Sequence, residues 1–133
     1  MIRYVNKWPA RLSVVLACLW ISGCGTEQPS GSVSGKVVHG GQTLTKGAVV
    51  FVNQDTGIGA SSPIDASGNY TLPSIPTGQY QVAIQHPPVP SPEEIERGVK
   101  AERVDVPEKF LDPQTSGLTA TVNEGPNTVD FTF

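Results

Sequence analysis

A period of two runs through most of the chain beyond residue 32. Val33, Gly35 and Val37 alternate with Ser34 and Lys36; Val49 and Phe51 sit in the run 47–53; Tyr70 and Leu72 alternate with Asn69 and Thr71. Tyr80, Val82 and Ile84 alternate with Gln79, Gln81 and Gln85, Leu118, Ala120 and Val122 with Thr119, Thr121 and Asn123, and Val129, Phe131 and Phe133 with Thr128, Asp130 and Thr132. Successive side chains of a strand point to opposite faces, so each run predicts a strand with one buried and one wet face. A weaker seventh strand is expected near 58–64. Gly40-Gly41, Asp65-Ala66-Ser67-Gly68, Pro76-Thr77-Gly78 and Glu124-Gly125-Pro126-Asn127 separate the runs. Their residues form turns for defined reasons: glycine takes positive φ, proline presets φ, and Asp and Asn bond to nearby backbone. Seven short antiparallel strands, within a range of six to eight, predict an all-β sandwich.

The stretch 86–117 breaks the pattern, with about thirty residues that do not alternate, longer than a compact domain usually leaves without structure. Ser91, Pro92 and Glu94 stand in the order of an N-cap, an N1 proline and a capping-box acid, which predicts a short helix. Glu93/Arg97 and Glu96/Lys100 are spaced for ion pairs along it, and Gly98 limits its length. Loops on rigid scaffolds carry binding groups, so this insertion is the expected place for recognition, with Glu108, Lys109 and Phe110 as its candidate ligand-contacting residues. The alternative is a connection that packs Ile95, Val99 and Phe110 onto the sandwich.

The N-terminal region is of another kind. Arg3, Lys7 and Arg11 flank an apolar run, 12–21, of about ten residues, the length of a signal-peptide h-region and well short of the roughly 20 that span a bilayer. Ser22-Gly23-Cys24 closes it, and Ile21-Ser22-Gly23-Cys24 resembles a lipoprotein signal. That resemblance implies cleavage between Gly23 and Cys24 and a diacylglyceryl thioether on Cys24, with acyl chains such as palmitate holding the protein on a membrane without a transmembrane helix. The expected organisation is a signal peptide over 1–23, a lipidated cysteine with a flexible tether over 24–32, and one domain over 33–133. The expected location is the cell envelope, lipid-anchored at the periplasmic face or cell surface. Gly25 after the cysteine, in place of an aspartate, favours the outer membrane.

Composition sharpens this picture. The full chain has nine basic and twelve acidic residues, net -3. Loss of 1–23 removes three of the basic ones and no acid, leaving six against twelve and a net charge of -6. An acidic domain without a basic stripe argues against nucleic acid. Cys18 falls in the apolar run and Cys24 is the acylation site, so no disulfide is expected and stability must come from the core.

Several stretches carry a family resemblance. Val33-Ser34-Gly35-Lys36-Val37, Gly47 to Val52, Asp65-Ala66-Ser67-Gly68-Asn69-Tyr70-Thr71-Leu72 and Ile75-Pro76-Thr77-Gly78-Gln79-Tyr80-Gln81-Val82 resemble, in order, the carboxypeptidase regulatory-like domain, a transthyretin (prealbumin)-like β-sandwich. Val106 to Phe110, Thr115 to Thr119 and Asn127 to Phe131 look like the small lipoproteins abundant in planctomycete bacteria. The resemblance covers nearly all of 33–133 and implies a noncatalytic accessory role. It carries over no active-site residues.

Candidate chemistry is sparse. Asp65, Ser67 and Asn69 offer oxygens at alternate positions, as a calcium loop does, but the terminal bidentate acid is missing and a tight turn with Gly68 in the left-handed region accounts for them. His39 and His86 are not at metal-ligand spacing, and no Gly-x-Ser-x-Gly elbow occurs. Lys36 with Asp130 or Asn127 has the strand placement of an intramolecular cross-link, yet Lys36 and Asp130 fall in the outward phase. Trp8 and Trp20 leave with the signal, and Phe51, Tyr70, Tyr80, Phe131 and Phe133 fall on inward positions, so only Phe110 is left to stack on a sugar. The reading is of a noncatalytic lipoprotein without cofactor or metal, whose sandwich serves a structural or protein-interaction role at the envelope. The runner-up is a module that binds envelope polysaccharide or peptide through 86–117.

Overall fold

A computed structural model describes residues 25–133. Two sheets face each other. The first holds β1 (Ser30–His39), β2 (Gln42–Thr43), β5 (Asn69–Pro76), β8 (Gly125–Thr128) and β9 (Phe131–Thr132); the second runs in the order β4 (Gly59–Pro63), β3 (Ala48–Val52), β6 (Gly78–Gln85), β7 (Leu118–Val122). The all-β sandwich expected from alternation is present. Its count is nine strands, not seven, and it is not antiparallel throughout, because β8 and β9 run parallel to β1.

The extra strands have local causes. Gly40 and Gly41, at φ 58° and 80°, supply the two positive-φ positions of a two-residue hairpin, which adds β2 in the register Val38↔Thr43 and His39↔Gln42. Gly125, Pro126 and Asn127, expected within a turn over 124–127, instead form β8 together with Thr128. Asn127 makes this possible: its side-chain nitrogen donates to the carbonyls of Ser32, Asn123 and Gly125, and its oxygen accepts from the Asn123 N–H at 3.0 Å. The last alternating run then breaks at Val129 and Asp130, where the chain crosses over Gly35, and resumes as β9.

Inward residues of both sheets form one core. Val33, Val37, Val49, Phe51, Val82 and Ile84 have no exposed surface, and Tyr70, Leu72, Ile75, Tyr80, Val122 and Phe131 join them. The phase read from alternation therefore puts the right faces inward. Tyr70 brings a hydroxyl into this core and donates to the Val129 carbonyl at 2.6 Å, fixing the β8–β9 crossover to β5. Burial, with a smaller effect of the Asp130 charge, holds the Tyr70 phenol well above its ordinary range.

A pH dependence follows. The unfolded chain releases the phenol proton near pH 10 while the folded chain keeps it, so the native state binds more protons and stability falls as pH rises through 10. Tyr80, raised in the same direction by burial, adds to the fall. Tyr70→Phe should cost about 1–2 kcal/mol at neutral pH, because it leaves the Val129 carbonyl without its partner, and should flatten the alkaline loss. Urea unfolding midpoints from pH 8 to 11 for both proteins measure this; an equal alkaline slope in the variant would remove Tyr70 as its source.

The helix in the insertion, α1 (Pro92–Glu96), starts as its sequence predicts. Ser91 caps it, its hydroxyl accepting from the Glu94 N–H, and the Glu94 carboxylate accepts from the Ser91 N–H at 2.8 Å. That backbone bond from Ser91 holds the Glu94 carboxyl below its usual range. The expected pairs Glu93/Arg97 and Glu96/Lys100 do not form, because the helix ends at Glu96 and the chain turns at Gly98 with φ 89°. Arg97 Nε instead donates to the Glu93 carbonyl at 3.2 Å.

Candidate functional site

The insertion divides into an anchored half and a projecting half. The anchored half begins at Val104, which is buried against Gly47, and its N–H donates to His86 Nδ1 at 3.1 Å. Lys46 and Glu102, 2.8 Å apart, form the one ion pair among the described residues and tie the same point to the β2–β3 connection. A 3-10 turn, Glu108–Leu111, then lays Phe110 against Phe133 at a ring distance of 4.3 Å and edge-on to His39 at 6.2 Å. Ser116, buried, donates its hydroxyl to the Val82 carbonyl of β6, and its oxygen accepts from the Leu118 N–H at 3.1 Å, closing the segment onto β7.

This arrangement corrects one expectation. Phe110 is only 8% exposed, and Lys109 Nζ lies 4.6 Å from its ring centre, so the ring has no free face for a sugar. Phe110 thus belongs to the packing of the loop, with Lys109 beside it, while Glu108 is exposed at the start of the turn. Of the three apolar residues considered as packing on the sandwich, Phe110 does so and Ile95 and Val99 do not.

The projecting half, 87–103, leaves the sandwich at His86 and returns at Val104. It contains the large exposed apolar side chains of the described residues: Val89 at 79%, Ile95 at 56% and Val99 at 48%. Pro87, Pro88, Val89 and Pro90 face Gly98 and Val99 across a cleft of about 550 Å³. The prolines leave this run with few N–H groups to pair with any strand, and α1 is too short to cover its own apolar side. Clustered exposed apolar residues mark a contact surface more than scattered ones do. Periodicity does not reveal this, because Ile95 and Val99 sit four residues apart, as buried helix residues also do.

The other sequence candidates are held in local structure. Asp65 Oδ1 accepts from the Ser67 and Asn69 N–H groups at 2.8 and 2.9 Å, and Gly68 takes φ 81°, so this is a turn. The bond from Asn69 is the main reason its carboxyl lies below the usual range. His39 Nδ1 contacts the Phe133 carbonyl at 3.1 Å, while His86 Nδ1 accepts from the Val104 N–H, so each ring is held by its own backbone partner. Asp130 Oδ1 accepts the Lys36 backbone N–H at 2.8 Å, both residues exposed. No group of three His, Cys, Asp or Glu residues suited to a metal occurs among the described residues, and no helix among them is long and apolar enough to cross a membrane. Gly23 and Cys24 lie outside the described residues.

Residues 32–133 match the family profile of the carboxypeptidase regulatory-like domain. The chain belongs to that family. None of the curated proteins matches it. Among solved structures, this regulatory-like domain is similar to a DUF3823 family protein from Parabacteroides merdae ATCC 43184, at 13% identity and TM-score 0.46, over 80% of this chain and 46% of that one. A DUF3823 family protein from Bacteroides ovatus ATCC 8483 is similar at 15% and 0.46, over 78% and 44%. The dioxygenase domain of a dioxygenase carbohydrate-binding protein fusion from Streptomyces sp. SirexAA-E is similar at 15% and 0.41, over 83% and 82%. The chain spans less than half the length of the two DUF3823 proteins.

Proposed function

We propose that this regulatory-like domain is a noncatalytic interaction module, held at the cell envelope by lipid on Cys24, which offers the arm 87–103 to a protein partner. The observation that carries the reading is the exposure of Val89, Ile95 and Val99 on one segment, Val89 and Val99 lining the same cleft, with the segment's two ends joined by the bond from the Val104 N–H to His86. A pinned arm presents its apolar face at a smaller entropic cost on binding than a free loop does. Glu94, Glu102 and Lys100 also line the cleft, giving the apolar face a polar rim of mixed charge. The noncatalytic part draws support from the family, and from candidate polar groups that already bond to their own backbone.

In-cell photocrosslinking from position 89 of the full chain tests the arm. With the label at position 101 instead, the combined variant Val89→Ser, Ile95→Ser, Val99→Ser should keep its unfolding free energy within about 0.5–1 kcal/mol, since these side chains touch solvent, and should lose the discrete adducts formed by the chain that keeps Val89, Ile95 and Val99. Adducts that persist unchanged would refute the arm. Anchoring is tested separately: labelled fatty acid should enter the wild-type chain and not Cys24→Ala, and equal incorporation would refute the lipid attachment.

A further inference from the structure

On the outer face of the second sheet, away from the arm, four polar side chains stand in a block. β6 contributes Gln79 and Gln81, and β7 contributes Thr121 and Thr119 in direct register, Gln79↔Thr121 and Gln81↔Thr119. The β3–β4 connection adds Gln54 and Asp55 at the rim, and these six, with Tyr80 and Ala120 between them on the strands, line a groove of about 360 Å³. The rim is fixed from beneath: buried Asn53 accepts the N–H groups of Asp55 and Thr56 on its side-chain oxygen at 2.9 and 3.2 Å.

Three features of the groove restrict what fits. Its lining has two kinds of group that both donate and accept, amides and hydroxyls, together with one carboxylate, and no lysine, arginine or histidine. That set matches hydroxyl groups and offers a phosphate or an acidic polymer no cation, with a carboxylate at the rim to repel it. β6 is paired on both sides, to β3 and to β7, so its backbone is closed to an added strand and it can contact a ligand only through side chains. The Gln81 side-chain oxygen is shut from solvent without a hydrogen-bond partner, so turning this amide outward to meet a hydroxyl breaks no hydrogen bond of that oxygen.

We infer that this groove binds a neutral saccharide through Gln79, Gln81, Thr119 and Thr121, with Asp55 accepting a hydroxyl at the rim. The site is independent of the arm and requires no aromatic platform. It shifts sugar recognition from the loop 86–117, where Phe110 is buried, to the sheet face.

Affinity electrophoresis of the full chain in mild detergent, in gels containing neutral glucan, mannan or xylan, tests it, with polygalacturonate as the acidic comparison. At least one neutral polymer should retard the protein and polygalacturonate should not. Gln81→Ala and Thr119→Ala should each weaken the retardation constant by about fivefold or more, whereas the triple serine variant of the arm should leave it unchanged. Circular dichroism melts check folding, and Gln79→Ala and Thr121→Ala, at exposed positions, carry the test if Gln81→Ala does not fold. Migration unaffected by all three neutral polymers, equal retardation of wild type and folded variants, or equal retardation by polygalacturonate overturns the inference.

Discussion

Phe51→Ala should lower the free energy of unfolding by about 3–5 kcal/mol, the cost of removing a fully enclosed aromatic side chain. Phe51 has no exposed surface, and its ring centre lies 6.0 Å from both Tyr70 and Tyr80 and 6.1 Å from Phe131. Tyr80 shares its sheet while Tyr70 and Phe131 come from the other, so one side chain joins both layers. Alanine there removes ring contacts to three neighbours at once, and none of them can fill the space without leaving its own site. A domain of this size has roughly 5–15 kcal/mol in total, so the variant should sit near the edge of folding. Urea denaturation with an unchanged slope measures the loss. A cost below about 1.5 kcal/mol would mean that the cavity collapses and that the four rings are not the centre of the fold.

The second large effect is expected at a residue without a side chain. Gly35 passes so close to the Val129 carbonyl that a Cβ would overlap its oxygen and press on Asp130 Oδ1 at 3.1 Å. The obstruction is backbone, which cannot swing aside. Moving it disturbs the bonds that dock β8 and β9: Val129 N–H to Ser34 at 2.8 Å, Lys36 N–H to Asp130 at 2.8 Å, and the Tyr70 hydroxyl to Val129 at 2.6 Å. Gly35→Ala should therefore cost about 3 kcal/mol, from overpacking and strained hydrogen bonds together. The melting midpoint should drop by roughly 12–24 °C in a domain of about a hundred residues. Gly59→Ala is the matched control, since its Cβ would meet only the Phe51 carbonyl at an ordinary 3.5 Å and should cost under about 1 kcal/mol. Equal melting points for the two variants would show that the crossover yields freely.

How much of this was legible in the sequence depended on whether the determining physics is local. The inward phase of Phe51, Tyr70, Tyr80 and Phe131 follows from period two alone, and the Gly40-Gly41 turn and the Ser91 cap follow from two to four adjacent residues. β8 was not legible, because Gly125, Pro126 and Asn127 have turn chemistry and only pairing with the distant residues 31–34 of β1 makes them a strand. Direction was hidden for the same reason: alternation reports faces and is silent on whether a neighbour runs parallel. At the candidate surfaces, Ile95 and Val99 carry a spacing shared by buried and exposed apolar residues. Phe110 looked free only because its partners, His39 and Phe133, are remote in the chain. The Gln79/Gln81 and Thr119/Thr121 block was visible as outward positions, and only strand register shows that they are neighbours.

The parallel docking of β8 and β9 on β1 also sets a clock. Lys36 meets Asp130 across a sequence separation of 94 residues. At a synthesis rate of roughly 5–20 residues per second, the first strand waits about 5–20 s for the segment that completes its sheet. Contacts between such distant parts of a chain also form late once both are present, since the intervening loop must close first. Until then one side of β1 stays open and the core lacks Phe131, so the sandwich closes only after nearly the whole chain has been made.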